Sequence, residues 1–162
     1  FIYGGTSSAA GNSWIFVNQP ASKIAVSSLM LCEDADYISI EICSDDAINL
    51  SNPPDFVFAR ITSTDLEIGK NEGGTESVLD TKADVVSGES LVTLFYDGSN
   101  LKVYFNNELV GSYEVAMTIS AFRIRVYDSS TSKKTYGYIR SLYAIVEPSL
   151  SLSGEIAEVT VT

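Results

Sequence analysis

The 162-residue chain contains no histidine at all. That absence removes Ser-His-Asp and Cys-His nucleophilic catalysis and every zinc site built on imidazole. Basic residues are scarce too, ten against 21 acidic ones, for a net charge of −11 at pH 7. Nucleic acid and anionic membranes are therefore excluded as expected partners. No apolar run approaches the ~20 residues that span a bilayer as a helix. No stretch repeats apolar residues at i, i+3, i+4, i+7 for long enough to make an amphipathic helix, and a phosphate-binding loop has no helix to precede. These absences leave an all-β chain.

What is present is aromatic and strand-forming. Nine Tyr and seven Phe sit in a chain that is 45% hydrophobic and 19% charged, a globular composition of one-domain length. The charge is uneven. Residues 1–100 carry fifteen acids and four basic groups, while residues 101–162 carry six of each. Solubility is the simplest reading of that acidic half, ahead of a cation or a basic partner.

Alternation marks the strands. Ile38, Ile40 and Ile42 interleave with Ser39, Glu41 and Cys43, the period of a half-buried strand. Residues 1–3, 13–18, 23–32, 55–61, 65–69, 77–79 and 83–86 also read as strands, broken by the Asn- and Pro-rich stretch 49–54. A tight hairpin at residues 33–36 would set Cys32 opposite Tyr37 or Ile38 rather than Cys43, which points to two free, partly buried thiols. Residues 91–145 are the best patterned. A turn at Asp97-Gly98-Ser99-Asn100 pairs Tyr96 with Leu101, Leu94 with Val103 and Val92 with Phe105 on one apolar face. A three-residue loop at Asn106-Asn107-Glu108 would place Leu109 beside Phe105, with Asn supplying the positive φ. Residues 120–128 turn Phe122, Ile124 and Val126 inward and Arg123, Arg125 and Tyr127 outward, and a bulge near Ser141 lets Ile139 and Leu142 share the core side.

Candidate functional residues are few. Trp14, Tyr104 and Tyr127 could stack on sugar rings, although large aromatics are more often core. Two acidic clusters, Glu33-Asp34-Ala35-Asp36 and Ser44-Asp45-Asp46, could converge on a hard cation, against the plainer reading of exposed acidic turns. Arg123, Arg125, Lys133, Lys134 and Arg140 form a basic stripe suited to an acidic partner or a sulfated glycan. A solvated face paired with cross-strand acids is the commoner meaning of such a stripe.

The hairpin 91–106 running into Glu108-Leu109-Val110 resembles the concanavalin A-like lectin/glucanase superfamily, and most of all its laminin-G-like members. So do the return strand Tyr136-Gly137-Tyr138-Ile139-Arg140-Ser141-Leu142 and the segment 55–79. The resemblance covers roughly residues 55–146. It implies a jelly-roll β-sandwich of two antiparallel sheets, a fold used for sugar binding, protein adhesion or glucan hydrolysis. The superfamily's glucanases resemble a Glu-x-Asp-x-x-Glu strand, which this chain lacks. Glu41 and Asp45 do not replace it, being split by a strand end.

The resulting expectations are definite. The chain is an all-β, jelly-roll β-sandwich over residues 1–146 with a strand-like tail or linker at 147–162. It is not an enzyme, has no catalytic residues, needs no metal or cofactor, and has no assigned ligand-binding residues. Its role is structural or adhesive, through a protein partner or identical copies, on a virion or cell exterior. The alternatives are a lectin-like carbohydrate-binding domain, with glycan as the partner, and last a glycoside hydrolase.

Overall fold

The structure is a computed structural model that describes residues 2–6, 11–33, 35–44, 55–129 and 135–147. At 2–6, 11–16, 18, 19 and 135–140 only the backbone is described. Twelve strands follow one another: β1 (Ile2–Thr6), β2 (Gly11–Ala21), β3 (Lys23–Cys32), β4 (Tyr37–Cys43), β5 (Phe56–Ile61), β6 (Leu66–Glu72), β7 (Thr75–Lys82), β8 (Ser90–Tyr96), β9 (Asn100–Phe105), β10 (Glu108–Glu114), β11 (Ile119–Asp128) and β12 (Thr135–Glu147). They form two antiparallel six-stranded sheets, sheet A in the order β1-β12-β3-β8-β9-β10 and sheet B in the order β2-β11-β4-β5-β6-β7. Two meanders, β4 to β7 and β8 to β10, are framed by strands that cross between the layers. The fold is the expected jelly-roll β-sandwich.

Alternation places the core between the layers. Ile38, Ile40, Ile42, Val57, Ala59, Ile61, Leu66 and Ile68 of sheet B meet Val26, Met30, Val92, Leu94, Leu101 and Val103 of sheet A in one buried cluster. Each of the Ile, Leu, Val and Met side chains contributes about 1.5–3 kcal/mol on leaving water. Tyr96 is fully buried and still satisfies its hydroxyl. Its single proton is shared between the carbonyls of Val115 and Met117, at 2.9 and 3.0 Å, and its oxygen accepts from Met117 N at 2.8 Å. One core tyrosine thus ties down the link from β10 to β11.

The hairpin register read from residues 91–106 is the one observed, from Val92 opposite Phe105 to Tyr96 opposite Leu101. The second turn is shorter than expected. Glu108, not Leu109, pairs with Phe105, because Asn106 and Asn107 both adopt positive φ, 50° and 71°, and close the loop in two residues. The register shift at Ser141 is present, and Leu142 packs on the core.

Other expectations change. Residues 33–36 make no hairpin, since β3 lies in sheet A and β4 in sheet B; neither Cys32 nor Cys43 is in a disulfide, as expected, and both thiols are buried. Residues 83–86 are not a strand. Asp84 turns the chain at φ 57° and donates its backbone N–H to Asp65 Oδ1 at 2.9 Å. Of the expected tail, only Glu147 is described. It ends β12 opposite Lys23, with a 2.9 Å ion pair. The tail's strand and partner reading lies outside the described residues. No helix among the described residues is long and apolar enough to cross a membrane.

Candidate functional site

The face of sheet B turned away from the core is built by the same alternation that builds the core. While Ile38, Ile40 and Ile42 of β4 point inward, Tyr37, Ser39, Glu41 and Cys43 take the opposite face. Phe56, Phe58 and Arg60 of β5 join them, with Arg123, Arg125 and Tyr127 of β11. The register sets these residues in rows: Arg125, Ser39, Arg60, Glu67 in one, Arg123, Glu41, Phe58, Gly69 in the next, and Tyr127 beside Tyr37. On the β2 side the backbone register sets Trp14 opposite Arg125 and Phe16 opposite Arg123.

A half-buried strand should expose that second face, yet all seven residues of β4 are buried. The ion pairs explain why. Glu76 of edge strand β7 meets Arg60 of β5 at 3.0 Å and Arg125 of β11 at 3.2 Å. Four strand spacings of roughly 4.8 Å separate β7 from β11 in a flat sheet, more than the two side chains can span. Sheet B therefore curls over this face and makes a cup.

At the floor lies a buried ion pair. Arg123 Nε donates to Glu41 Oε2, with 3% and 2% of the side chains exposed. Glu41 also accepts from Ser39 Oγ at 2.8 Å and lies 3.5 Å from Arg125 Nη1. Arg123 rests on the Phe56 ring at 4.7 Å from its centroid, within a small apolar cluster of Cys43, Phe56, Phe58 and Ala121. Gly69 is required there, because a Cβ would fall 2.4 Å from Phe58 Cζ and from the Ser77 carbonyl.

The wall is aromatic and cationic. Tyr37 and Tyr127 stack at 5.1 Å. Arg60 covers Tyr37 and Phe58 at 4.5 and 4.8 Å, and Arg125 lies 5.2 and 5.5 Å from Tyr37 and Tyr127. Arg60 pairs with Glu67 at 2.5 Å, and Arg125 Nη2 donates to the Tyr37 hydroxyl. Burial pushes the Tyr37 phenol above its ordinary range, against the pull of Arg125, so it is a neutral hydroxyl at physiological pH. Burial also pushes the Cys43 thiol up to about 12, which makes it a packing group.

Of the residues singled out by sequence, Tyr127, Arg123 and Arg125 come together here, with Trp14 in register beside them. Tyr104 does not. It pairs with Thr93 on the outer face of sheet A. The basic stripe is paired with acids, but Arg123 is buried rather than solvated; the Lys133, Lys134 and Arg140 side chains lie outside the described residues. Of the two acidic clusters, Asp36 and Ser44 flank β4, about 27 Å of chain apart at ~3.4 Å per residue; Asp34, Asp45 and Asp46, which the cation reading needs, lie outside the described residues. Tyr37, Arg60, Glu67 and Glu76 were not foreseen. The signal was that residues sharing a phase on two adjacent strands, Tyr37, Glu41, Phe56, Phe58 and Arg60, are too aromatic for a plain solvated face.

Comparison with solved structures shows the same fold in carbohydrate-active proteins. The carbohydrate-binding module CBM66 from Bacillus subtilis superposes with a TM-score of 0.66 at 15% identity, over 88% of this chain and 90% of the module. The alginate lyase A1-II', of polysaccharide lyase family 7, gives 0.60 at 14% identity, over 82% of this chain and 66% of the enzyme. The Caenorhabditis elegans galectin LEC-6 gives 0.52 at 10% identity, over 86% of this chain and 96% of the galectin. These are jelly-roll sandwiches of the concanavalin A-like lectin/glucanase type. No protein-family model matches the sequence. No curated protein sequence matches it either.

The lyase corrects the expectation that the chain is not an enzyme. That expectation rested on absent histidine and an absent glucanase carboxylate pattern. Each absence removes one arrangement of catalytic groups, whereas a single fold hosts several chemistries on different residues. An enzyme and a binding module share this scaffold, so the fold does not exclude catalysis.

Proposed function

We propose that the chain is a carbohydrate-binding β-sandwich and that the glycan is held in the cup on the outer face of sheet B. The observation that carries this reading is the cup itself, where Tyr37, Tyr127, Arg60, Arg125 and Glu76 converge over a buried Arg123–Glu41 pair. Aromatic faces suit the apolar C–H surface of a sugar ring, and fixed guanidinium and carboxylate groups suit its hydroxyls. A concave site with a few converging polar groups is the usual form of a small-ligand site. The fold comparison supports the glycan alternative above a structural role on a virion. An extracellular setting accompanies the reading, because polymeric glycans are met there.

The test is electrophoretic mobility in native gels cast with soluble polysaccharides. Arg125→Ala and Tyr127→Ala are expected to lose at least ten-fold of the wild-type retardation, while Tyr104→Ala and Tyr143→Ala, on sheet A, retain it. Retardation that survives the first pair and is lost in the second would overturn the reading.

A further inference from the structure

We infer that the cup selects uncharged glycans and rejects uronate and sulfated ones; the inference rests on the glycan reading above. Three arginines on one face look like an anion site, and the basic stripe in the sequence suggested the same. The pairing in the folded chain points the other way. Arg123 is matched by Glu41, Arg60 by Glu67 and Glu76, and Arg125 by Glu76 and Glu41. Three positive and three negative side chains leave the cup with no net charge.

The positions of the acids sharpen the selection. The Arg123–Glu41 pair is closed to solvent, so neither charge is available to a ligand. The accessible carboxylates are Glu76 and Glu67, with 35% and 24% of their side chains exposed, whereas the Arg60 and Arg125 side chains are only 16% and 13% exposed. An incoming carboxylate or sulfate would meet the acids first. It would have to displace Glu76 from two guanidinium groups at once, giving up intramolecular pairs already formed and desolvated. The whole chain, at −11, also repels a polyanion as it approaches.

A hydroxyl has no such conflict. It donates to a carboxylate and accepts from a guanidinium in one geometry, so a sugar diol can bridge Glu76 and Arg125, or Glu67 and Arg60, without breaking either pair. Arg60 commits Nε and Nη1 to carboxylates, and a guanidinium carries five N–H donors. The half-buried Tyr127 ring adds a stacking contact without charge, while Tyr37, buried beneath Arg60 and against Tyr127, holds both in place.

The experiment is a printed array of neutral, uronate and sulfated glycans probed with the full chain, followed by calorimetric titration of the best member of each class in 20 and 200 mM NaCl. The expected result is a neutral ligand at least ten-fold tighter than any anionic one, changing less than two-fold between the two salt concentrations. Glu76→Gln and, separately, Glu67→Gln should narrow that gap at least three-fold by improving anionic binding. An anionic glycan that binds as tightly as the neutral ones and weakens steeply with salt would overturn the selectivity and leave the glycan reading standing. No binding in any class would overturn both.

Discussion

Removing one partner of the buried Arg123–Glu41 pair is the sharpest perturbation of the cup's floor. Glu41→Gln keeps the shape and the Ser39 contact but leaves the Arg123 charge facing an amide, with only 3% of its side chain in water. Stripping one partner from a buried pair costs about 3–5 kcal/mol. The lower end applies here, because Arg125 keeps Glu76 at 3.2 Å and Arg123 keeps the Phe56 ring at 4.7 Å. About 3 kcal/mol in a chain of this size lowers Tm by roughly 6–12 °C. The double variant Glu41→Leu/Arg123→Met removes both charges, for which apolar replacement is often neutral or better, but strands the buried Ser39 hydroxyl, so it should recover to within about 1–2 kcal/mol of wild type. Urea unfolding followed by tyrosine and tryptophan fluorescence reads both values. A single variant that costs under 1 kcal/mol, or a double variant no better than the single, would refute the reasoning.

Ser28 offers the opposite sign. Its hydroxyl is buried in the core layer without a hydrogen-bond partner, so Ser28→Ala should raise the stability by about 1 kcal/mol, read as a higher urea midpoint. Gly69→Ala should cost about 1–3 kcal/mol, because the new Cβ strikes Phe58 and the Ser77 carbonyl and the floor must shift; thermal unfolding checks it. Asp97 accepts from Asn100 N at 2.7 Å and Ser99 N at 3.1 Å, and these bonds hold its carboxyl below the ordinary 3.8. A depressed folded value stabilises above the unfolded value and is lost as pH falls through the folded one. Asp97→Asn should therefore be less stable than wild type at pH 7, with the gap closing below pH ~4 in a pH series of melting curves.

The scaffold was legible because its determinants are local. Alternation in β4, β8, β9 and β11 fixes which side chains face the core, and an Asp-Gly turn fixes one register. The second hairpin was misjudged by one residue because two successive Asn residues at positive φ permit a shorter turn. The site was only partly legible, for a physical reason. Arg125 and Tyr127 could be placed on an outward face from their own strand, but Glu76 joins them across four strand spacings through the curl of sheet B. Curl is a property of the assembled sheet. The burial of Arg123 and Glu41 follows from it, and no period-2 pattern announces an outer face that is closed to water.

The central claim is that ligand binds in the cup of sheet B and not on the opposite layer. The most direct measurement is an amide and side-chain NMR titration of the full isotopically labelled chain with a millimolar mixture of neutral oligosaccharides. The account predicts that resonances of Tyr37, Arg60, Glu76, Arg125 and Tyr127 move together, while those of Phe95, Lys102, Tyr143 and Ile145 on sheet A stay still. Shifts confined to sheet A, or no shifts at all, would contradict it.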